Sequence, residues 1–286
     1  VAALCNSSSI AVKMNEEEED MNQPKMSKKK AKKTKKKEAS QDALVEGDLI
    51  YVGDPTEIAL NILSVISNMS KKMLESEAYG ELVQEYPFDS TIKRMSVQYR
   101  SLDRSEVMTC TKGAPDGVLP LCTHILKRNS DGKWEPVPLT TDDEAKIKDM
   151  NENIGKGGLR VLAIAYRSVP QNDNHTVTST TTVDKSSQVL NQHNKRESVE
   201  SELTFVGLVG IEDPYRDEVP QSIKVCDEAG IVVHMLTGDH YVTARAIAQQ
   251  IGILKQENLS DMNSVMKATD FDVMSDEELA RMSQLP

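Results

Sequence analysis

The 286 residues can bury one large core or two smaller ones, and a net charge of -11 argues against nucleic acid as the general partner. Cys5, Cys110, Cys122 and Cys226 show no CxxC spacing, so the simple reading is a reduced compartment without a zinc site. No stretch approaches the roughly 20 apolar residues that span a bilayer, no signal peptide opens the chain, and the pattern breaks off at both ends as in a piece of a longer protein.

Residues 14–40 are not expected to fold on their own. Glu16 to Asp20 is an acidic block and Lys28 to Lys37 holds eight lysines, so like charges repel and little apolar surface offsets chain entropy. A solvated insert is the preferred reading; the alternative is a basic arm, 28–37, near acidic lipid headgroups. Order resumes with a short strand, Leu49 to Val52. A helix follows, with Ile58, Ile62, Val65, Ile66, Met69 and Met73 as its buried stripe. Asp54 and Glu57 have the spacing of a capping box, and Pro55 suits the first helical position.

Phe88 precedes the alternating run Met95, Val97, Tyr99, and a second run, Glu106 to Lys112, follows the polar turn Leu102 to Ser105; the two form a predicted hairpin that ends at Gly113. An aromatic ring at a strand mouth beside Lys93 and Lys112 suits a nucleotide, with stacking for the base and positive charge for the phosphates. A core phenylalanine with two solvated lysines would look the same in sequence. A short helix, Asp116 to Cys122, precedes two strands, Ile125 to Arg128 and Trp134 to Val137, joined by the turn Asn129 to Gly132; a helix from Thr140 to Ile154 comes next. Leu159 to Tyr166 is an apolar strand interrupted by one charge, and burying an arginine alone is costly, so Arg160 should reach an anion or an exposed edge. Residues 168–200 turn polar and repetitive and read as a second insert or linker.

From Thr204 to Ile253 the pattern is strand, helix, strand, helix. Thr204 to Ile211 is nearly all apolar, as in a strand buried on both faces, and Ile231 to Leu236 is a second β-branched run. Val219, Ile223 and Cys226 share one helical face closed by Gly230, and Val242, Ala246, Ile247 and Ile251 share another before Gly252. Parallel strands are expected of such a unit, with ligands at their carboxyl ends, where Asp213 to Arg216 and Thr237 to Asp239 fall. Thr237 offers a hydroxyl, Gly238 close backbone approach, and the helix starting near Tyr241 its free N-H groups for a phosphate. Asp239 would cap that helix, hold a sugar hydroxyl or share the site with magnesium; a plain N-cap at Asp239 or His240 fits equally well.

Three segments, Thr111-Lys-Gly-Ala-Pro-Asp116, Ile211-Glu-Asp-Pro-Tyr-Arg216 and Met235-Leu-Thr-Gly-Asp-His240, closely resemble motifs of the P-type cation-transporting ATPases in the same order. The wording around 234–254 looks most like the fungal-type sodium/potassium exporters, with calcium pumps as near relatives. The resemblance implies an α/β and α+β architecture. Residues 1–200 would be a nucleotide-binding domain built on a mainly antiparallel sheet, with inserts at 14–40 and 168–200. Residues 203–286 would be the C-terminal part of a Rossmann-like phosphorylation domain of the haloacid dehalogenase type.

It also implies ATP as ligand, with Glu57 facing the adenine, Phe88 stacking on it, Lys93, Lys112 and Gly113 near the phosphates, Arg160 lining the pocket, and Thr237, Gly238 and Asp239 contributing to the site. Asp213, Pro214 and Arg216 would support the hinge and the phosphorylation domain. Asp116 stands where relatives often carry glutamate, which keeps the charge, and Tyr215 stands where they usually carry proline, which leaves the hinge geometry open. The phosphorylated aspartate, in an Asp-Lys-Thr-Gly-Thr loop, and most magnesium ligands have no counterpart here. The implied whole is therefore a multi-pass membrane pump with this segment on the cytosolic side, partnered by membrane helices of the same polypeptide. Competing readings are a calcium-transporting pump, a catalytically silent nucleotide-binding fragment, and a stand-alone phosphohydrolase of the dehalogenase type. The last would need an Asp-x-Asp or Asp-x-Thr nucleophile loop after an early strand.

Overall fold

The computed structural model describes residues 1–12, 43–46, 49–170, 196–255 and 264–282; the lysine run and most of the second polar insert lie outside them. Three strands, β1 (Ser9–Val12), β2 (Ala43–Glu46) and β3 (Leu49–Val52), form an antiparallel sheet in the order β1-β3-β2. A second sheet contains β4 (Tyr79–Asp89), β5 (Arg94–Ser101), β6 (Glu106–Gly113), β7 (Cys122–Arg128), β8 (Trp134–Pro138), β9 (Arg160–Pro170) and β10 (Leu203–Ile211). Its seven strands hydrogen-bond in the order β4-β5-β6-β9-β10-β7-β8. The sheet is mixed: β10 runs antiparallel to β9 and parallel to β7, and β7 and β8 pair antiparallel across the predicted turn at Asn129 to Gly132.

The chain divides into two compact units. The first holds the described residues of Val1–Glu85, Val97–Cys110 and Ser168–Thr176. Here α1 (Pro55–Ile66) starts as predicted, with Asp54 accepting from the Thr56 N-H at 2.9 Å and Pro55 in the first turn. The capping box does not close. Glu57 is buried and its Oε2 instead accepts from the Ser7 N-H at 2.8 Å, while Asn6 Nδ2 donates to the Glu57 carbonyl at 2.7 Å. The long apolar stripe is also shorter than predicted. Asn68, at φ 53°, turns the chain after α1, and Ser70 caps a separate α2 (Lys71–Glu77). Val65, Ile66, Met69 and Met73 are consequently exposed, and α1 buries Ile58, Leu60, Asn61 and Ser64.

The second unit holds the described residues of Tyr86–Ser96, Thr111–Arg167 and Val177–Pro286. Its core packs Val118, Leu119, Cys122, Ile147, Ala163, Ala165, Leu203 and Phe205. A short α3 (Pro115–Val118) and α4 (Thr141–Lys156) contribute to this core. Thr140 and Asp143 form a reciprocal capping box at the start of α4. Hydrogen bonds from Lys127 and then Thr140 hold the buried Asp143 carboxyl down at about 2. Its folded value lies below the ordinary 3.8, so its stabilising contribution is present above about pH 4 and lost as pH falls toward about 2. Asp143→Asn should therefore be less stable than the parent at pH 7 and show a flatter stability profile between pH 4 and 2 in acid titrations followed by circular dichroism.

Helix α5 (Val219–Glu228) ends as predicted: Gly230 sits at φ 72°, its N-H bonds the Asp227 carbonyl, and the Ile231 N-H bonds that of Cys226, a Schellman motif. Residues 231–236, expected as a strand, form none, and most are exposed. A β-branched run becomes a strand only when another strand pairs with it, and among the described residues none pairs with this run. In α6 (Tyr241–Gln250) the buried positions are Thr243, Ala244 and Ala248; of the predicted stripe Ile251 is buried just after the helix, and Val242, Ala246 and Ile247 are half-buried, so the face is rotated. Rotation brings Thr243 Oγ1 to the Leu159 carbonyl at 3.0 Å and against Gly155 of α4, where a Cβ would lie 3.2 Å from that hydroxyl. Two short helices, α7 (Ala268–Phe271) and α8 (Asp276–Met282), complete the described chain.

Candidate functional site

The turn between β4 and β5 carries Phe88 and Lys93. Phe88, the penultimate residue of β4, leaves its ring 62% exposed, an unusual place for a large apolar side chain. The turn after it is shaped by Asp89, whose carbonyl accepts from the Lys93 N-H at 2.7 Å and whose carboxylate accepts from the Thr91 N-H at 2.8 Å. That backbone bond from Thr91 holds the Asp89 carboxyl below its usual range. Lys93 sits at φ 53°, and its carbonyl accepts from the Ala114 N-H at 2.9 Å, so the turn lies directly against the end of β6. Lys112 is there, 5% exposed, followed by Gly113, on which a Cβ would lie 2.4 Å from the Lys93 carbonyl oxygen. Four of the sequence-predicted residues, Phe88, Lys93, Lys112 and Gly113, thus share one neighbourhood. Glu57 belongs to the other unit, fixed on Ser7 as described.

A second cluster gathers residues from three segments. Arg160, the first residue of β9, lies opposite Ile211 of β10, whose chain continues into Asp213. Its guanidinium meets Asp213 Oδ2 at 3.1 Å and Asp239 Oδ1 at 3.0 Å. The Thr237 hydroxyl donates to Asp239 Oδ2 and accepts from the Asp239 N-H, each at 3.1 Å. His240, not Asp239, caps α6 through the Val242 N-H, and its Nε2 lies 3.8 Å from Asp116. Gly238 is exposed, and a Cβ added there would meet nothing within 4 Å, so packing gives no reason for glycine there. Pro214 and Arg216 are exposed, and the Arg216 carbonyl starts α5 by accepting from the Val219 N-H at 2.9 Å.

The residues fit a polyanion better than a metal ion. Lys93, Lys112 and Arg160 bring cations to the two clusters, while Asp213 and Asp239 already face Arg160. Among the described residues no group of three His, Cys, Asp or Glu side chains is placed to hold a metal. Burial raises the thiols of Cys110 and Cys122 to about 11 and about 12, which leaves them poor nucleophiles. Among the described residues no helix is long and apolar enough to cross a membrane.

Sequence reasoning missed the side chains behind the Phe88 turn. Glu200, assigned to the polar insert, is fully buried and accepts from Arg94 Nε at 2.7 Å, Arg196 Nε at 2.9 Å and the Ser96 hydroxyl at 2.6 Å. The four-residue spacing of Arg196 and Glu200 was the available signal, and it reads equally well as a solvated helical pair.

A family model described as the P-type ATPase cytoplasmic domain N matches residues 1–218. The chain belongs to the P-type ATPase family. A sodium/potassium exporting P-type ATPase of Schizosaccharomyces pombe is 37% identical over 246 residues, covering 84% of this chain and 21% of that protein. Calcium-transporting ATPase 1 of Bacillus cereus is 40% identical over 228 residues, covering 80% and 22% respectively. Sodium/potassium exporting P-type ATPase 1 of Saccharomyces cerevisiae is 33% identical over 264 residues, covering 82% and 23%. The chain therefore spans about a fifth of the length of the curated relatives it matches. The match through residue 218 takes in all seven strands of the larger sheet.

Proposed function

We propose that this chain is the ATP-binding part, on the cytosolic side, of an ATP-driven cation pump of the membrane. The observation that carries the reading is the exposed Phe88 ring packed into the same turn system as Lys93, Lys112 and Gly113, within a chain of the P-type ATPase family. The Phe88 ring offers a face for adenine, and base-aromatic stacking supplies about 1–3 kcal/mol. Lys112 and Lys93 supply positive charge for the phosphates, and Gly113 keeps the backbone close to them. Arg160 holds two carboxylates of the Asp213 and Thr237–Asp239 segments and would exchange them for a phosphate oxygen, as a planar guanidinium can. Thr237 and Gly238 would face the same phosphates. Phosphoryl transfer would go to an aspartate outside this sequence, with magnesium supplying charge neutralisation when bound.

In this reading the nucleotide-binding domain covers the chain to about residue 200, and the boundary after it falls before β10, although β10 pairs with β9 and β7 of the same sheet. The remainder, with Asp213, Pro214 and Arg216, belongs to a phosphorylation domain of the haloacid dehalogenase type, whose partners are membrane helices of the pump. The 28–37 run would lie near acidic headgroups. Sodium or potassium is the favoured ion, from the wording around 234–254; the 40% identity to a calcium-transporting relative supports calcium as a second reading.

Calorimetric titration with ATP and with adenosine tests the site. Phe88→Ala should weaken both ligands by about tenfold or more, since it removes the stacking face they share. Lys112→Met, which keeps the aliphatic stem, should weaken ATP and leave adenosine unchanged. A folded parent chain that binds neither ligand would refute the reading.

A further inference from the structure

A buried carboxylate is costly unless it is paired and fully hydrogen-bonded, and Glu200 meets that condition through two arginines whose side chains are 14% and 12% exposed. What those arginines do with their remaining donors is the informative part. Arg196 Nη1 donates to the Pro87 carbonyl at 3.2 Å and Nη2 to the Arg94 carbonyl at 2.9 Å. Pro87 and Arg94 are the residues on either side of the 88–93 turn. One guanidinium thus ties the main chain just before Phe88 to the main chain just after Lys93. Arg94 Nη1 donates to the Gly117 carbonyl at 3.2 Å, and Ser96 bridges Glu200 to the Thr111 hydroxyl at 2.9 Å, beside Lys112. The planar fork of arginine suits two carbonyls and a carboxylate at once; an ammonium does not.

We infer that Arg196 and Glu200 are positioning residues for the nucleotide site, acting by clamping the 88–93 turn so that the Phe88 ring and Lys93 are held where the ligand meets them. The inference rests on the proposed ATP site, since neither residue is argued to touch the ligand. An ion pair that only stabilised the unit could sit anywhere in it. This one spends its donors on the rim of a turn that also contains a lysine in the left-handed region and an exposed ring, both of which need external support to keep one conformation. Residues 196–199 are helical and Glu200 follows them, so residues assigned in sequence to a passive polar linker reach directly behind the site.

Amide hydrogen exchange and ATP titration of the whole chain, compared for the parent, Arg196→Ala and Arg196→Lys, test the clamp. In both variants the amides of Thr91 and Lys93 should exchange about tenfold faster or more, while those in the core strands β9 and β10 keep parent rates. The ATP dissociation constant should rise about tenfold in Arg196→Ala, with Arg196→Lys failing to restore the parent value because it lacks the fork. Unchanged exchange at Thr91 and Lys93 in a folded variant overturns the inference, and so does full recovery in Arg196→Lys. If Arg196→Ala does not fold, Arg196→Lys decides by the same exchange rates. If the parent binds no ATP, the proposed nucleotide site falls, and the exchange rates still decide whether the turn is clamped.

Discussion

Replacing Glu200 by alanine should lower the stability of the chain by about 3–5 kcal/mol, the usual loss when one member of a buried ion pair is removed. The deleted carboxylate leaves the guanidinium groups of Arg94 and Arg196 facing each other without a counter-ion, and it leaves the buried Ser96 hydroxyl with one acceptor fewer. Both arginines retain some solvent contact, which places the loss toward the lower end of that range. Asp142→Ala is the internal control: its partner Lys146 and Asp142 itself are 68% and 73% exposed, and a pair of that kind contributes under about 1 kcal/mol. Urea denaturation followed by circular dichroism reads both. Equal, small losses in the two variants would mean that Glu200 is solvated in solution and that the buried network does not persist. A large loss in Glu200→Ala that is recovered when Arg94, Arg196 and Glu200 are all replaced by apolar residues of similar volume would show that the carboxylate is needed chiefly to satisfy the arginines.

Local signals in the sequence carried much of the fold. Helix α4 was legible in its extent, from about Thr140 to the glycines after Ile154, while its cap lies at Thr140; α5 was legible to its last turn because only a glycine takes φ 72° there without cost. Strands β9 and β10 were legible as apolar runs. Their antiparallel pairing was not, and that pairing is what places Arg160 opposite Ile211 and within reach of Asp213 and Asp239. The carboxyl-edge rule brought the two aspartate segments together on paper, but the arginine enters from the start of its strand. The run 231–236 shows the opposite failure: strong local preference, with no partner strand among the described residues. Glu200 was illegible for a further reason. Its partner Arg94 is 106 positions away, and nothing local separates a buried glutamate from a solvated one in a polar stretch.

Gly113→Ala should destabilise the second unit by roughly 1–3 kcal/mol, the range for forcing atoms into a filled site. The added methyl would meet the Lys93 carbonyl oxygen at 2.4 Å, the Arg94 Cβ at 2.6 Å and the Arg94 Cα at 2.7 Å, and the nearest of these is main chain that cannot swing aside. Relief requires the 88–93 turn to move away from β6. That would break the Ala114 N-H bond to Lys93 and carry Phe88 and Lys93 with it, so ATP affinity should fall together with stability. Gly238→Ala separates packing from ligand approach. A methyl at Gly238 meets nothing within 4 Å, so stability should stay within about 0.5 kcal/mol of the parent. Any loss of ATP affinity in that variant then reports contact between the ligand and the backbone at residue 238, whereas unchanged affinity would remove Gly238 from the site and leave the turn at 88–93 and the end of β6 to carry binding.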